Sequence, residues 1–533
     1  MSKATMRVFK APVALVAGIW LFAGQSPSTA EVPVPRIAPK PGVVVASLSD
    51  EPPESLSPAQ AIKREATVDV SIAVSAFYAE REFAPLWPPE RAEALRARLS
   101  LAAFDGLDPA DYFVPRNGLS PAALDVSLTE AALRYANDAY SGKLTPSSVS
   151  PIMTVEPPVL DEARFLRRLG QTKNIARTLD RLSPQHPGFV ALKAKLAEAL
   201  NAARDQRVAI GRGKNLRRGT KGVRVAALRS RLNATVSRGA DPTVFDDTLD
   251  EAVRAYQTSS GLKADGIVGP RTIAMLDEGV GDHPVASLVS NMERWRWLPR
   301  GLGGHHVVVN IPSYRVKVQS AGSTIYDGRV IVGAAHHPTP VFSDEIEHIV
   351  VNPYWNVPVS IASKEMLRGI MANPAGYLSR RNYEAVMNGR VVNPSSISWS
   401  RAALSRVRIR QRPGRGNALG AVKFMFPNKH AVDLHDTPTK HLFRRDRRAF
   451  SHGCIRVHNP FDFAQALLSK EEKLSGAGLK RMVGGKQRWL KLDRHVPVHL
   501  TYFTREVTAD GKLVRYADVY GYDRRVQRAL NKS

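Results

Sequence analysis

The chain has 533 residues, of which 43% are apolar and 23% charged, a composition typical of globular protein rather than of a disordered or membrane-embedded chain. Its length exceeds what one hydrophobic core usually supports, so several domains are expected. Lysine and arginine outnumber aspartate and glutamate by 76 to 49, and the resulting charge of +27 indicates attraction to something polyanionic.

The N-terminus has the pattern of a secretory signal peptide. Lys3, Arg7 and Lys10 precede an apolar run over 11–24, and the segment 28–30 has the small-x-small form of a cleavage site. The alternative is a membrane anchor, but this run is short against the ~20 residues that span a bilayer. We therefore expect residues 1–30 to be cleaved, and the mature protein to lack a stable membrane span and to act outside the cytoplasm.

The next segments read as a linker followed by a helical domain. Residues 31–64 are rich in proline and serine and lack helical periodicity, which predicts an extended linker. Residues 65–205 contain alanine-rich amphipathic stretches broken by proline and glycine turns. This pattern predicts a helical scaffold domain.

Residues 214–280 predict a three-helix module. Val225 and Leu228 lie on one face of its first helix, and Asp246 or Asp247 can cap the second. The order and spacing of its helices and turns closely resemble the peptidoglycan-binding domain of wall hydrolases and transpeptidases. The alternative is an unrelated helical bundle.

Beyond about residue 300 the pattern changes to the alternation of β-strands separated by glycine and proline turns. We predict a β-rich domain over 285–504, interrupted at about 362–400 by a polar helical insertion of the kind that forms a cap over a site. Residues 505–533 form a C-terminal tail to which the sequence assigns no role. The predicted fold class is multidomain α+β.

Cys454 is the one cysteine of the chain, so it cannot form an internal disulfide. A buried inert thiol, an intermolecular disulfide and a reactive thiolate remain open. The sequence around it predicts a strand that ends in a turn at Gly453 and leads to a helix capped by Asn459. Nucleophiles are commonly held at such transitions, where backbone N–H groups are free.

A catalytic thiol needs a nearby base, because an ordinary thiol is only a few per cent thiolate at neutral pH. His435, His441, His452 and His458 are all close in the sequence, and their spacing does not rank them. A metal site is the alternative use of the fourteen histidines, but no HExxH or CxxC pair is present. No metal or other cofactor is expected.

The run 451–456, SHGCIR, with His435 nineteen residues before the cysteine, resembles the signature of the YkuD-type L,D-transpeptidases. The segments NVPVSIASKE over 356–365, RQRPGRGNALGAVKFMFPN over 410–428 and LHDTPTKHLF over 434–443 are similar to the large YcbB-like branch of that family. The helical segments 105–112 and 128–146 resemble the scaffold that precedes its catalytic domain.

This resemblance implies a site and a reaction. Cys454 is expected to be the nucleophile and His435 its general base, oriented by a backbone carbonyl rather than by the carboxylate of Asp436. Backbone N–H groups around Gly453 and Cys454 are expected to stabilise the oxyanion. His452 is expected to shape the pocket and Arg456 to bind or orient substrate.

The implied reaction is acyl transfer in the bacterial cell wall. The thiolate attacks the third residue of a stem tetrapeptide and releases D-alanine, and an amine of a neighbouring stem resolves the thioester into a 3-3 cross-link. Carbapenem-type β-lactams are expected to acylate the same cysteine. The implied role is in cell wall biogenesis and cell shape, and the implied location is the periplasm.

Other outcomes stay open. The thioester can be resolved by water, by a free D-amino acid or by a lipoprotein lysine, and a non-catalytic wall-binding scaffold is the alternative of another class. The expected partners are peptidoglycan stem peptides and glycan, together with other wall-synthesis enzymes. Nucleic acid is not expected, because the predicted export and the absence of a recognisable nucleic-acid-binding motif outweigh the positive charge.

Overall fold

The computed structural model describes residues 56–67, 70–204, 210–211, 213–236, 239–260, 262–276 and 284–532. The predicted signal peptide and the first part of the predicted linker, up to residue 55, lie outside these ranges. Ser57 and Gln60 form a reciprocal capping box, and Pro58 occupies the first position of the helix that follows. Residues 58–64 are therefore helical, and the prediction that the linker extends to residue 64 is wrong.

The scaffold region consists of helices whose apolar faces share a core. Leu128, Ala132 and Tyr135 are fully buried on the long central helix. The helices are α1 (Pro58–Glu65), α2 (Ile72–Glu80), α3 (Pro89–Leu99), α4 (Pro121–Ser141), α5 (Pro146–Val149), α6 (Glu162–Gln171), α7 (Ile175–Asp180) and α8 (Pro187–Arg204).

The module over 214–276 has its own core, formed by α9 (Val223–Arg231), α10 (Asp247–Ser259) and α11 (Pro270–Leu276). Val225 and Leu228 are fully buried, as the periodicity predicted. Of the two candidate caps, Asp246 is the one used, because its carboxylate accepts from Leu249 N at 3.0 Å.

The helix α12 (Pro284–Arg296) leads into the β-rich domain. Its strands, in chain order, are β1 (His305–Asn310), β2 (Arg315–Ser320), β3 (Ser323–Gly333), β4 (Phe342–Val351), β5 (Trp355–Asn356), β6 (Tyr383–Met387), β7 (Arg390–Val392), β8 (Arg408–Gln411), β9 (Val422–Met425), β10 (Leu434–His435), β11 (Ala449–Ser451), β12 (Ile455–Val457), β13 (Arg488–Thr501), β14 (Arg505–Val507) and β15 (Leu513–Arg515). The remaining helices are α13 (Val359–Ile361), α14 (Leu367–Ala372), α15 (Pro374–Arg380), α16 (Pro460–Leu467), α17 (Gly476–Arg481) and α18 (Tyr522–Leu530).

The main sheet closes into a barrel because β3 pairs with both β2 and β12. Around the barrel the strands follow the order β3, β12, β10, β9, β4, β13, β1 and β2, with β11 beside the end of β3. Most neighbours are antiparallel, whereas β1 runs parallel to β13, β10 to β12 and β11 to β3. The apolar sides of these strands form the largest core cluster of the described residues.

The insertion between β4 and β9 differs from the predicted helical segment. It is helical over 359–380, including one π-helical turn at Ala362–Met366, but then continues as the hairpin β6–β7 within a small sheet of order β5, β8, β6, β7. Asn388 and Gly389 join the two strands with φ angles of 49° and 78°, as a two-residue type I′ turn requires. This segment also has its own core.

The C-terminal tail packs against the barrel. Tyr520, Tyr522 and Val526 join the core cluster of the barrel, and Asp523 forms an ion pair with Arg294 of α12 at 2.5 Å. No helix of the described residues is long and apolar enough to cross a membrane.

Candidate active site

Cys454 lies in a tight turn between β11 and β12. Ser451 ties this turn together, because its hydroxyl donates to the Cys454 carbonyl and accepts from Gly453 N at 3.2 Å. Gly453 has a φ of 120°, in a region that side chains with a Cβ rarely adopt. The turn presents Cys454 half-buried at the start of β12.

Strand register brings His435 to the same side of the barrel as Cys454. Leu434 of β10 is opposite Ile455 of β12, and His435 is opposite Arg456. Leu434 and Ile455 are fully buried in the barrel core. Because side chains alternate along a strand, the residues on either side of this pair, including Cys454 and His435, lie on the opposite face.

His435 is buried as a neutral imidazole. Its Nδ1 donates to the backbone carbonyl of Asp436, which leaves Nε2 as a proton acceptor. Burial also lowers the pKa of His435 below its usual value. The carboxylate of Asp436 is engaged elsewhere, since it accepts from Ala421 N at 2.9 Å and pairs with Lys440.

The surroundings of Cys454 favour its protonated thiol. Its Sγ lies 3.8 Å from the carbonyl oxygen of Ala431, within reach of a weak hydrogen bond from a thiol. Burial and the adjacent carboxylate of Asp433 raise the pKa of Cys454 to about 12. The site therefore pairs a neutral thiol with a neutral imidazole.

Sequence analysis did not identify Asp433 or Lys423 as part of this site. Lys423 is opposite His435 in the register of β9 and β10, and its Nζ lies 3.0 Å from Asp433 Oδ2. The other carboxylate oxygen of Asp433, Oδ1, is buried without a hydrogen-bond partner among the described residues. Asp433 lies two residues before His435 and therefore on the same side of the extended chain. This alternation was the signal in the sequence that could have placed Asp433 beside Cys454.

The remaining candidate residues occupy different places. His452 is exposed, and its Nε2 lies 2.8 Å from Glu365 Oε1 on the π-helical turn of the insertion. Its ring lies 4.9 Å from that of His337. The guanidinium of Arg456 donates to Thr439 Oγ1 at 3.3 Å. The turn therefore contacts the insertion through His452. Arg456 lies opposite His435, on the face that carries Cys454, and its guanidinium extends to the loop after β10.

Family models match three separate parts of the chain. A scaffold domain matches residues 72–196, a "Putative peptidoglycan binding domain" matches 221–276, and an L,D-transpeptidase catalytic domain matches 304–472. A Haemophilus influenzae protein named "Putative L,D-transpeptidase" is 36% identical over 244 residues, which cover 45% of this chain and 49% of the relative. The match thus spans about half the length of that protein.

Two solved structures are also similar to part of the chain. The L,D-transpeptidase of Xylanimonas cellulosilytica is 16% identical, and the match covers 54% of this chain and 98% of that one, with a TM-score of 0.15. For the enzyme of Stackebrandtia nassauensis the identity is 15%, the coverage 54% and 94%, and the TM-score 0.16. Overlays with such TM-scores add nothing to the geometry of the site.

Proposed function

Because the chain carries a YkuD-type L,D-transpeptidase catalytic domain together with a scaffold domain and a peptidoglycan-binding domain, we propose that it forms 3-3 cross-links between peptidoglycan stems. The observation that carries the proposal is the register of β10 and β12. In this register the half-exposed thiol of Cys454 and the buried neutral imidazole of His435 share one face of the sheet.

The first half-reaction forms a thioester. Cys454 Sγ attacks the carbonyl carbon of the third stem residue while its proton moves to Nε2 of His435. The carbonyl oxygen becomes an oxyanion. The backbone N–H of Cys454, which belongs to the nucleophilic residue itself, is the donor assigned to stabilise this oxyanion. When the oxyanion collapses, the C–N bond to D-alanine breaks and His435 returns the proton to the departing amine.

The second half-reaction transfers the acyl group. An amine of a neighbouring stem, in its neutral form, attacks the thioester carbon and gives a proton to His435. The C–S bond then breaks, the new amide forms, and the thiolate regains its proton from the imidazolium. Donor and acceptor together lose one D-alanine, so atoms and charge balance without a cofactor.

Asp433 affects the two partners in opposite senses. Its negative charge disfavours a thiolate at Cys454 and favours an imidazolium at His435. The ion pair between cysteine and histidine is therefore not stable at rest, and proton transfer accompanies attack on a substrate carbonyl. Lys423 limits this effect by neutralising part of the carboxylate charge.

We assign the insertion the role of covering the bound stem peptide. Its contact with the nucleophile turn through Glu365 and His452 supports this role. A cavity of about 450 Å³ also opens beside Asp436 and Thr437, between the loop at 413–415 and the turn at 483–485. A deletion within the insertion would disrupt the insertion's own core. The substitution Glu365→Ala is therefore the better test of the covering role, because it removes only the contact with His452.

Incubation with tetrapeptide-bearing muropeptides, followed by mass spectrometry, tests the proposal. We expect cross-linked dimers and free D-alanine from the wild type and neither from Cys454→Ala. Tripeptide without dimer would indicate an L,D-carboxypeptidase, and a changed fourth residue would indicate exchange. Binding to peptidoglycan with no cysteine-dependent product would identify a wall-binding scaffold.

The same preparation tests two accompanying proposals. A carbapenem is expected to add its mass to the wild type and not to Cys454→Ala. The periplasmic location is tested by fractionating cells that express the full chain, with recovery in the cytoplasmic fraction as the contrary result.

A further inference from the structure

The C-terminal tail reaches the loop that follows β3 through one tyrosine hydroxyl. Tyr520 is buried, with 9% of its surface exposed. Its hydroxyl donates to the carbonyl of Gly333 at 2.7 Å and accepts from Thr339 N at 3.2 Å. Gly333 and Thr339 flank the loop over 334–338, so the single hydroxyl bridges both ends of this loop.

Thr339 passes this constraint to the nucleophile turn. Its hydroxyl accepts from Gly333 N at 2.8 Å and donates its one proton to the carbonyl of Gly453 at 2.7 Å. Thr339 is fully buried, so water does not compete for these bonds. A second contact, from Ala334 N to the carbonyl of Ser451 at 2.9 Å, joins the same loop to the same turn.

The peptide plane connects the Gly453 carbonyl to the nucleophile. In a planar trans peptide the carbonyl and the following N–H point in opposite directions. Holding the Gly453 carbonyl on Thr339 therefore aims the N–H of Cys454 away from the loop. Within the described part of the chain, no hydrogen bond uses that N–H.

Tyr520 is itself fixed in place. Its backbone N–H donates to the hydroxyl of Tyr502 at 2.8 Å, and that hydroxyl donates to Asp518 at 2.7 Å. The rings of Tyr502 and Tyr520 stack with their centroids 5.6 Å apart. The tail thus presents the Tyr520 hydroxyl from a packed aromatic cluster rather than from a loose end.

We propose that the tail positions the oxyanion donor of the active site: Tyr520, through Thr339 and the Gly453 carbonyl, orients the N–H of Cys454. The inference rests on the proposed function in taking Cys454 as an acylated nucleophile. Tyr520 and Thr339 are positioning residues in this account, since neither contacts substrate. The tail then supports the active site through Tyr520 and is not a separate appendage.

Two reactions of Cys454 distinguish an effect on the oxyanion donor from a general effect on the reactivity of the thiol. Acylation by p-nitrophenyl acetate forms the Sγ–C bond, passes through an oxyanion and expels p-nitrophenolate. Alkylation by iodoacetamide displaces iodide and forms no oxyanion. In Tyr520→Phe we expect acylation to slow about tenfold, which corresponds to ~1.4 kcal/mol. Alkylation should stay within about twofold of the wild type, because a lost hydrogen bond to a backbone group leaves the thiol unchanged.

Matched variants complete the experiment. Tyr516→Phe removes a hydroxyl of the same tail, which donates to Glu506 at 2.9 Å, and should leave both rates unchanged. Thr339→Val should slow acylation selectively, and Thr339→Ser, which keeps the hydroxyl, should restore it. This threonine pair tests the link from the loop to the Gly453 carbonyl, and it does so even if Tyr520→Phe fails to fold.

Acylation of Tyr520→Phe at the wild-type rate would overturn the inference. An equal loss of acylation and alkylation would also overturn it, because the tyrosine would then act on the thiol or on the fold. The outcome is independent of muropeptide turnover. If the wild type is acylated by the ester but forms no cross-links, the proposed function fails while this test remains decisive.

Discussion

Removing the charge of Asp433 should make Cys454 more reactive toward alkylation. The carboxylate lies beside the thiol, pairs with Lys423 at 3.0 Å and is only 15% exposed, so solvent screens it weakly. In Asp433→Asn the negative charge disappears while the ammonium of Lys423 stays. The loss of the carboxylate charge and the now unpaired positive charge of Lys423 both favour the thiolate, and alkylation should therefore accelerate.

The magnitude follows from the pKa of Cys454. Burial and Asp433 raise this pKa from 9.0 to about 12, so the resting protein holds about a thousandfold less thiolate at neutral pH than an ordinary thiol. A neighbouring charge moves a pKa by about 1–3, and Lys423 already offsets part of the Asp433 charge. We therefore expect about tenfold faster alkylation of Asp433→Asn at any pH below the thiol pKa.

The assay is the second-order rate constant of iodoacetamide labelling between pH 6 and 10, followed by intact-protein mass spectrometry. Cys454 is the one thiol that can be labelled, because the chain has one cysteine. The rate for Cys454→Ala is subtracted to remove the slower labelling of amines and imidazoles. Asp493→Asn is the matched control, since Asp493 also pairs with a lysine, Lys473, but on an exposed part of the surface. A wild-type rate that is constant from pH 6 to 8 would refute the reasoning, because it would reveal a preformed thiolate. So would equal rates for Asp433→Asn and the wild type.

Three other predictions concern catalysis and stability. His435→Gln should reduce dimer formation by about 10²–10⁴-fold, measured as turnover of tetrapeptide muropeptides, because the thiol loses its proton acceptor; a smaller loss would point to another base. Burial lowers the pKa of His499 from 6.5 to about 4. Between these pH values the unfolded chain binds a proton at His499 that the folded protein does not bind, so the free energy of unfolding falls by about 3 kcal/mol as the pH falls from 6.5 to 4. Urea unfolding at several pH values should show that the free energy of unfolding of His499→Gln depends less on pH than that of the wild type. The same pH dependence in both proteins would show that His499 is not its source. Phe424→Ala should cost about 3–5 kcal/mol in the same assay, because Phe424 is fully buried in the barrel, whereas Phe113→Ala, at a side chain 75% exposed, should cost little.

Some features of the site could be anticipated because they depend on local patterns. The turn at Gly453, the cap at Asp246 and the periodicity of α9 arise from interactions between residues a few positions apart. The predicted cap Asn459 lies at the start of α16, but its side chain makes no capping hydrogen bond. The signature around Cys454 likewise pointed to the catalytic domain that the family model matches over 304–472. The hairpin β6–β7 also had a local signal, the Asn388-Gly389 dipeptide, and its assignment to a helical insertion was an error of interpretation.

The sequence by itself determined the domain order, the candidate nucleophile and a short set of candidate bases. Only the tertiary structure decided that Asp433 and Lys423 flank Cys454, and that Tyr520, sixty-six residues further along the chain, supports its turn. Strand register and contacts between distant segments depend on how the whole barrel closes and packs. A linear pattern of residue types does not encode that closure locally, so these neighbours emerge only once the strands are paired.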